Sequence, residues 1–359
     1  MAITQLVINQ FRNLAEVKLE PIMGMNAFYG QNGSGKTSIL EAIYFLGMGR
    51  SFRTHCVQRI IHHQADQFIL FAQIQHDDQV QPLGVERSRQ GDKKIRLNGE
   101  TICSLAPLAK QLPLQLLTTE SHRYFHDGPK PRRQFLDWGV FHVEPQFYPV
   151  WQQFQKALRQ RNAGLKSQLP RHEIEVWNQE IVRLSALLDR YRKDYIAHLN
   201  PLLTDLLAIV LPESNLHLRY SRGWSLERDL SEVLAASLSR DQQLGYTQYG
   251  PQRADLQLYA ENTPVCDFLS QGQQKLATYA LHLAQGLLLQ KLTAQSPIYL
   301  IDDLPSELDP EKRRFVATIL TQLHAQVFIT GITPTELSDM LPNQQSQMFH
   351  VKHGQIHAP

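Results

Sequence analysis

An α/β lobe interrupted by a smaller helical lobe is the fold predicted for these 359 residues. Three observations predict it. A short apolar strand, Met25 to Tyr29, runs into a glycine-rich turn and then a helix. A second apolar strand, Ile298 to Ile301, ends in two carboxylates. Between them, from about Gln146, the apolar period changes from two to the helical spacing of three and four. At about 150 residues per domain the length corresponds to two domains. Hydrophobic residues make up 42% and charged residues 19%, which excludes a disordered chain. The net charge of +2 is too slight to identify a polyanionic partner by itself.

The elements follow in order. Leu6 and Ile8, then Val17 and Leu19, alternate with polar neighbours around a turn at Asn13, as half-buried antiparallel strands do. After the Met25 to Tyr29 strand, Ile39, Leu40, Ile43 and Leu46 are spaced as one helix face, and Gly47 is expected to stop that helix. Strands are expected over Phe68 to Gln75, Val80 to Arg87 and Lys94 to Leu97, with Asn98-Gly99 as a hairpin turn. Phe147, Val150, Phe154 and Leu158 form one stripe. Ile174, Trp177, Ile181, Leu184, Leu188, Tyr191 and Tyr195 form a heptad seam, so the pair predicts a short antiparallel coiled-coil hairpin. Pro201 should kink or end its second arm. Leu216 to Tyr220 reads as a strand, Leu226 to Arg240 as helix, and Leu256 and Leu258 as the start of a further strand. Val327 to Thr330 is another buried strand.

Three cysteines without a CxxC pair argue against a disulfide framework or a zinc knuckle. The fifteen histidines, His62-His63 and His122/His126 among them, show no partner at zinc spacing and read as structural or surface groups. No apolar run approaches the roughly 18 residues of a membrane span. The opening MAITQLVINQFRN has no basic and apolar secretory pattern. A cytoplasmic protein without a membrane partner is the expectation.

Gly30-Gln31-Asn32-Gly33-Ser34-Gly35-Lys36-Thr37 fits the phosphate loop GxxxxGK[ST] in full, after a strand and before a helix. Its backbone N–H groups and the helix N-terminus suit phosphate oxygens. Lys36 is assigned to the β- and γ-phosphates of ATP, and the Thr37 hydroxyl to a Mg²⁺ ion. Asp302 and Asp303 follow an apolar strand, at the edge where open α/β sheets bind ligands. Neighbours on a strand face opposite sides, so they should differ in role. Asp302 would hold Mg²⁺, and Asp303 would orient or deprotonate the attacking water.

Leu269-Ser270-Gln271-Gly272-Gln273 opens a strongly helical stretch, with Ser270 as N-cap and Gly272 leaving donors uncovered. It resembles the LSGGQ signature of ABC-type ATPases, and Ser306-Glu307-Leu308-Asp309 resembles their D-loop. Phe11-Arg12-Asn13, Gly33 to Tyr44, Gly49 to Arg53, Gln115 to Glu120, Gly128-Pro129-Lys130, Arg132-Arg133, Phe135 to Trp138, Gln160-Arg161-Asn162 and Gly250 to Leu256 extend the likeness along the chain. Together they resemble the Rad50, SMC and RecF group, and most specifically its RecF branch. Thr119, Gln252 and Asp127 depart from that branch, where proline, histidine and glycine are usual.

The resemblance implies an ABC-type, Rad50-head-like ATPase lobe without a very long coiled coil. Residues 1–125 would form the first half of the head, 126–250 the helical lobe, and 251–359 the second half of the head. It implies that Gln115 is a Q-loop residue sensing Mg²⁺ and the γ-phosphate. Ser270, Gly272 and Gln273 would cap ATP held by another copy in an ATP-dependent homodimer. Thr330 would stand where transporters carry a switch histidine. The implied activity is weak, DNA-stimulated ATP hydrolysis in recombinational repair and replication restart, on nucleoid-associated protein. Implied partners are double-stranded DNA, single-stranded DNA and gap junctions, with the RecR and RecO proteins. An ABC transporter-type ATPase subunit and a P-loop kinase are the competing readings. The stretch from Lys36 to Ser270 is too long for the first, and the second needs no signature.

Basic residues are spread: Arg50 and Arg53; Lys93, Lys94 and Arg96; Lys130, Arg132 and Arg133; Arg159 and Arg161; Arg190, Arg192 and Lys193. Such groups read first as solvated faces. No aromatic-plus-basic platform stands out along the chain, so phosphate contacts rather than base reading are expected.

Overall fold

The computed structural model describes residues 1–76, 79–303, 308–341 and 346–357. In chain order the elements are β1 (Ala2–Phe11), β2 (Leu14–Leu19), β3 (Met25–Tyr29), α1 (Lys36–Met48), β4 (Gln67–His76), β5 (Gln79–Ser88), β6 (Lys93–Leu97), β7 (Glu100–Thr101), α2 (Ala106–Gln111) and β8 (Leu114–Leu117). Then come α3 (Pro129–Val143), α4 (Phe147–Lys166), α5 (Arg171–Val210), β9 (Leu216–Ser221), α6 (Leu230–Ala236), α7 (Leu238–Leu244), β10 (Asp255–Ala260), β11 (Thr263–Pro264), α8 (Val265–Phe268) and α9 (Gln271–Thr293). The chain continues with β12 (Ile298–Ile301), α10 (Pro310–Gln322), β13 (Val327–Gly331), α11 (Pro334–Leu337), β14 (Ser346–Lys352) and β15 (Gln355–His357). No helix among the described residues is long and apolar enough to cross a membrane.

Two units divide the chain: residues 1–121 with 289–359, and residues 122–288. In the first, an antiparallel sheet runs in the order β2-β1-β4-β5-β6-β7, as the alternation of Leu6, Ile8, Val17 and Leu19 requires. The other sheet runs β15-β14-β3-β13-β12-β8 and is parallel except at the β14–β15 hairpin. Its central strands β12 and β13 are buried along their length, which explains their unbroken apolar runs. A shared core includes Phe11, Phe45 and Phe68, whose rings meet edge to face at 5.1 to 6.3 Å. Each such ring contributes about 1.5–3 kcal/mol by burial.

In the second unit α4 and α5 form the expected antiparallel hairpin, and β9 and β10 pair beside it. The units divide at 121 and 288 rather than after 125 and 250. Residues 251–288 pack with the helices: β10 pairs β9, and the Gln285 amide donates to the Phe135 carbonyl and the Tyr195 hydroxyl.

Three local expectations are corrected and a fourth, at Pro201, is narrowed. Gly47 does not end α1. It is buried inside the helix because Leu114 and the Leu112 carbonyl occupy the space a Cβ would need, and Gly49, at φ 62°, is the stop. Pro201 does not end α5, which continues to Val210 with Leu203, Leu206, Leu207 and Val210 buried. Helix does not begin at Leu226, which is 80% exposed. It begins at Leu230 after the N-cap Asp229. In the α5 seam Asn178 and Arg192 are buried where Trp177 and Tyr191 were expected. Both have polar partners that make burial affordable, Asn178 in Arg161 and Arg192 in Asp137.

Candidate nucleotide-binding site

The strand β3 lies between β13 and β14, and all three run parallel, so the turn after Tyr29 emerges at the C-terminal edge of the sheet. Gly30 has φ 151°, and a Cβ there would collide with the Val351 carbonyl oxygen. Gly33 has φ 79° and faces open space, with no atom within 4 Å of where a Cβ would stand. Asn13, from the turn between β1 and β2, donates to the Gly33 carbonyl at 3.3 Å and accepts from the Ser38 hydroxyl at 2.8 Å. From the other side the Gly354 N–H donates to the Ser34 carbonyl at 2.8 Å. The loop is thus held open around a concavity, and the first turn of α1 carries no acid to neutralise its dipole. Ser34 Oγ is buried without a hydrogen-bond partner among the described residues. A polyphosphate fits this arrangement: it supplies acceptors to the loop N–H groups and to that hydroxyl.

A cavity of about 730 Å³ opens from the loop, lined by residues of the first unit alone. It brings together Asn32, Gly33, Ser34, Gly35, Lys36 and Thr37 with Asp302, Asp303 and Thr330. Gly30 and Gln31 contribute from behind, where their carbonyls accept from Lys36 Nζ at 2.6 and 3.1 Å. Burial pulls the Lys36 ammonium below its ordinary range, and Asp303, Asp302 and Glu336 partly restore it. The Thr37 hydroxyl donates to Asp302 Oδ1 at 3.0 Å, and the Thr330 hydroxyl donates to the same oxygen at 2.9 Å. Thr37 and Asp302 are hard oxygen donors set side by side, the donor chemistry that would suit Mg²⁺.

Strand alternation does not separate the two acids. The chain leaves β12 at Ile301, and Asp303 takes φ 59°, so both carboxylates line the cavity. A left-handed aspartate carries backbone strain, and the Thr330 hydroxyl secures it by accepting the Asp303 N–H at 2.9 Å. Burial raises the Asp303 carboxyl above the usual carboxylate range. Asp302 raises it further, and Lys36 opposes both. A carboxyl poised this way suits a proton acceptor.

Residues given no role from sequence complete the wall. Arg12 donates through Nε and Nη2 to the two oxygens of Glu41, which is fully buried, and through Nη1 to the Arg59 carbonyl. Ser51 donates to the same carboxylate, and Arg53 lies 3.5 Å from it. Arg12, Arg53, Arg59, His62, His63 and Thr119 all line the cavity. Phe11-Arg12-Asn13 and Gly49 to Arg53 stood out in the sequence as family markers; their chemistry needs Glu41 to join them.

Other expected residues are not in the lining of this cavity. Gln115 is buried in β8 opposite Tyr299, and Thr119, just beyond the strand, lines the cavity instead. Ser270, Gly272 and Gln273 belong to the second unit. There the Ser270 N–H donates to Gln273 Oε1 at 2.9 Å and the Gln273 N–H returns to Ser270 Oγ at 3.4 Å, a reciprocal cap on α9. Gly272 faces open space. Ser306 and Glu307 of the expected D-loop lie outside the described residues.

Residues 2–357 match the RecF/RecN/SMC N terminal domain family. The chain is also 52% identical over 356 residues to the DNA replication and repair protein RecF of Coxiella burnetii, covering 99% of each. The chain belongs to the RecF family. RecF of Shewanella piezotolerans is 43% identical over 356 residues, again with 99% of each chain covered. A RecF–ATP structure, solved as a recombination mediator of the RecFOR pathway, superposes with a TM-score of 0.88 at 25% identity, covering 99% of this chain and 97% of that one. An SMC head bound to a winged-helix domain of ScpA shares the fold, with a TM-score of 0.61 at 14% identity, covering 100% of this chain and 97% of that one. The RecF family and the SMC heads therefore share this α/β architecture.

Proposed function

We propose that the protein is an ATP-switched DNA-binding ATPase of recombinational repair and replication restart. The observation that carries this reading is the complete phosphate cradle, with Lys36, Thr37, Asp302 and Asp303 around one cavity, in a chain alike to RecF along its whole length. That the relatives named above are repair proteins favours it over a transporter-type subunit. ATP sits on residues 30–37. Thr37 and Asp302 would hold Mg²⁺, which would offset the charge of the phosphates. Asp303 accepts the proton of the attacking water, and hydrolysis is slow and stimulated by DNA.

Ser270, Gly272 and Gln273 of one copy close on the γ-phosphate held by another, so ATP acts as glue for a homodimer that grips duplex DNA near single-strand gaps. Only a ligand that binds the closed dimer better than the open monomer can drive this change. ADP lacks the contacted phosphate, so hydrolysis releases the DNA. The protein works with RecO and RecR in loading recombinase, in the cytoplasm and at the nucleoid.

Ser270→Arg tests the shared site. The variant keeps the phosphate loop and binds ATP as a monomer, while arginine blocks the start of α9. Sedimentation velocity with ATP should show a dimer for wild type and a monomer for the variant. An ATP-dependent dimer of the variant would refute the shared site.

A further inference from the structure

The second unit carries an aromatic groove with an unusually firm frame. The segment after α7 begins at Gly245, and its anchors are buried. The Thr247 N–H and hydroxyl both donate to Asn162 Oδ1, at 2.9 and 2.8 Å, and Arg161 donates to the same hydroxyl at 2.6 Å. Gln248 donates twice to Asp241 Oδ1, Arg192 donates to the Pro251 carbonyl, and Arg133 donates to the Ala254 carbonyl. Between these fixed points Tyr246 and Tyr249 are each left 40% exposed. Opposite them the chain leaves β9 through Gly223, which touches Gly250 so closely that a Cβ would strike the Gly250 carbonyl. Trp224 follows, with the Arg222 guanidinium 4.5 Å from its ring centroid. Arg253 lies 5.3 Å from the ring of Tyr246.

Trp224, Tyr246, Tyr249 and Arg253 thus line one open groove of about 550 Å³, with Ser221 and Gln248 supplying hydroxyl and amide groups between the rings. Among the described residues no carboxylate lines it. Exposing large rings costs solvation, and holding them on a loop pinned by a buried Arg–Asp pair removes the entropy loss that a mobile loop would suffer on binding. Flat aromatic faces, one guanidinium group and scattered polar groups, without acid, match stacked bases joined by phosphates. Aliphatic side chains of a protein partner would find no aliphatic pocket here.

We propose that this groove takes unpaired bases of a single nucleic-acid strand, stacking them on Trp224, Tyr246 and Tyr249 while Arg253 meets the phosphates. A duplex keeps its base faces covered, so the groove distinguishes gapped from continuous DNA. The proposal rests on the DNA-binding reading above and adds the surface and the strand form.

The test uses the whole protein with ATP and two labelled probes of equal length, an oligothymidylate and a duplex, followed by fluorescence anisotropy. A Tyr246→Ala/Tyr249→Ala protein should lose about tenfold or more in oligothymidylate affinity. Its duplex affinity should equal wild type, which also reports an intact fold. Tyr246→Phe/Tyr249→Phe keeps both rings and should bind both probes as wild type does. A 5-iodouracil oligonucleotide should crosslink to Trp224, Tyr246 or Tyr249 on irradiation. Unchanged oligothymidylate binding by the alanine protein, or crosslinks confined to other residues, would overturn the proposal. Wild type that binds duplex but not oligothymidylate removes the groove's role and leaves the function above standing. Wild type that binds neither overturns both. An alanine protein that binds both probes normally yet fails to bind purified RecR assigns the groove to a protein and overturns it too.

Discussion

Arg161 and Asp241 in the second unit are both fully buried and meet at 2.8 Å, while Lys36, Asp302 and Asp303 in the first unit surround open volume. The chemistry is the same, a cation beside carboxylates, and the difference is where the remaining valences point. Arg161 is further tied to Asn178 and Thr247, and Asp241 accepts from Gln248. Arg132–Asp255 and Arg192–Asp137 follow the same plan, each two-pronged at 2.7 to 3.1 Å. In the phosphate cradle, by contrast, Lys36 is held by two carbonyls, and Asp302 Oδ1 accepts from the Thr37 and Thr330 hydroxyls. Closed pairs set shape; charges left facing a cavity await a ligand. A buried pair adds little net stability, but losing one partner is expensive because the other is stranded.

Asp303→Asn gives the largest effect expected from this contrast. Single-turnover ATP hydrolysis should fall about 10²–10⁴-fold, the usual worth of a general base, while ATP and Mg²⁺ still bind through Lys36, Thr37 and Asp302. In wild type the rate should fall as pH drops through the raised Asp303 value, because the protonated carboxyl accepts nothing, and this limb should vanish in the variant. Stability has the opposite sign. A carboxyl raised on folding stabilises only where it is protonated, and that contribution is lost as pH rises through the raised value. The variant should therefore melt no lower than wild type at neutral pH. Unchanged hydrolysis, or a lower melting point, would count against the open-site reading of Asp303.

Next in size is Arg161→Ala, which strands Asp241 at 0% exposure and should cost about 3–5 kcal/mol. The four tryptophans, Trp138, Trp151, Trp177 and Trp224, all lie in the second unit, so urea unfolding followed by tryptophan fluorescence reports that unit. The double change Arg161→Met/Asp241→Leu should recover part of the loss. A midpoint unmoved by Arg161→Ala would break the comparison from its other side.

Thr330→Val is the smallest. It removes the hydroxyl that joins Asp302 to the Asp303 N–H and should slow hydrolysis about tenfold, in keeping with about 1–3 kcal/mol for an unmet buried partner. Equal rates for the variant and wild type would make that hydroxyl a packing group alone.

The parts of the molecule legible in the sequence are those whose partners lie nearby. The phosphate loop is eight consecutive residues, and the acids of Asp302 and Asp303 follow directly on an apolar run. Arg132, Arg161 and Arg192 read in the sequence as solvated or DNA-facing cations, and the structure buries all three. Their partners stand 123, 80 and 55 residues away, beyond any window of periodicity. A shorter separation hid the groove as well: Trp224 joins Tyr246, Tyr249 and Arg253 where Gly223 packs on Gly250. The seam of α5 misled for a related reason, since a heptad scan rewards Trp177 and Tyr191 and cannot know that Asn178 and Arg192 have buried partners. Alternation puts Asp303 on the opposite face from Asp302 only if the strand continues, and β12 ends at Ile301.

The neighbours of β3 in its sheet are β13 and β14, made from residues 327–331 and 346–352. On the ribosome, then, the strand that leads into the phosphate loop emerges early and must wait for hydrogen-bond partners until most of the chain has been translated. Residues 122–288 form a continuous segment and can pack while that strand still lacks its neighbours. Translation order thus lets the helical unit close first, whereas the phosphate loop is complete only when Val351 and Gly354 arrive against Gly30 and Ser34.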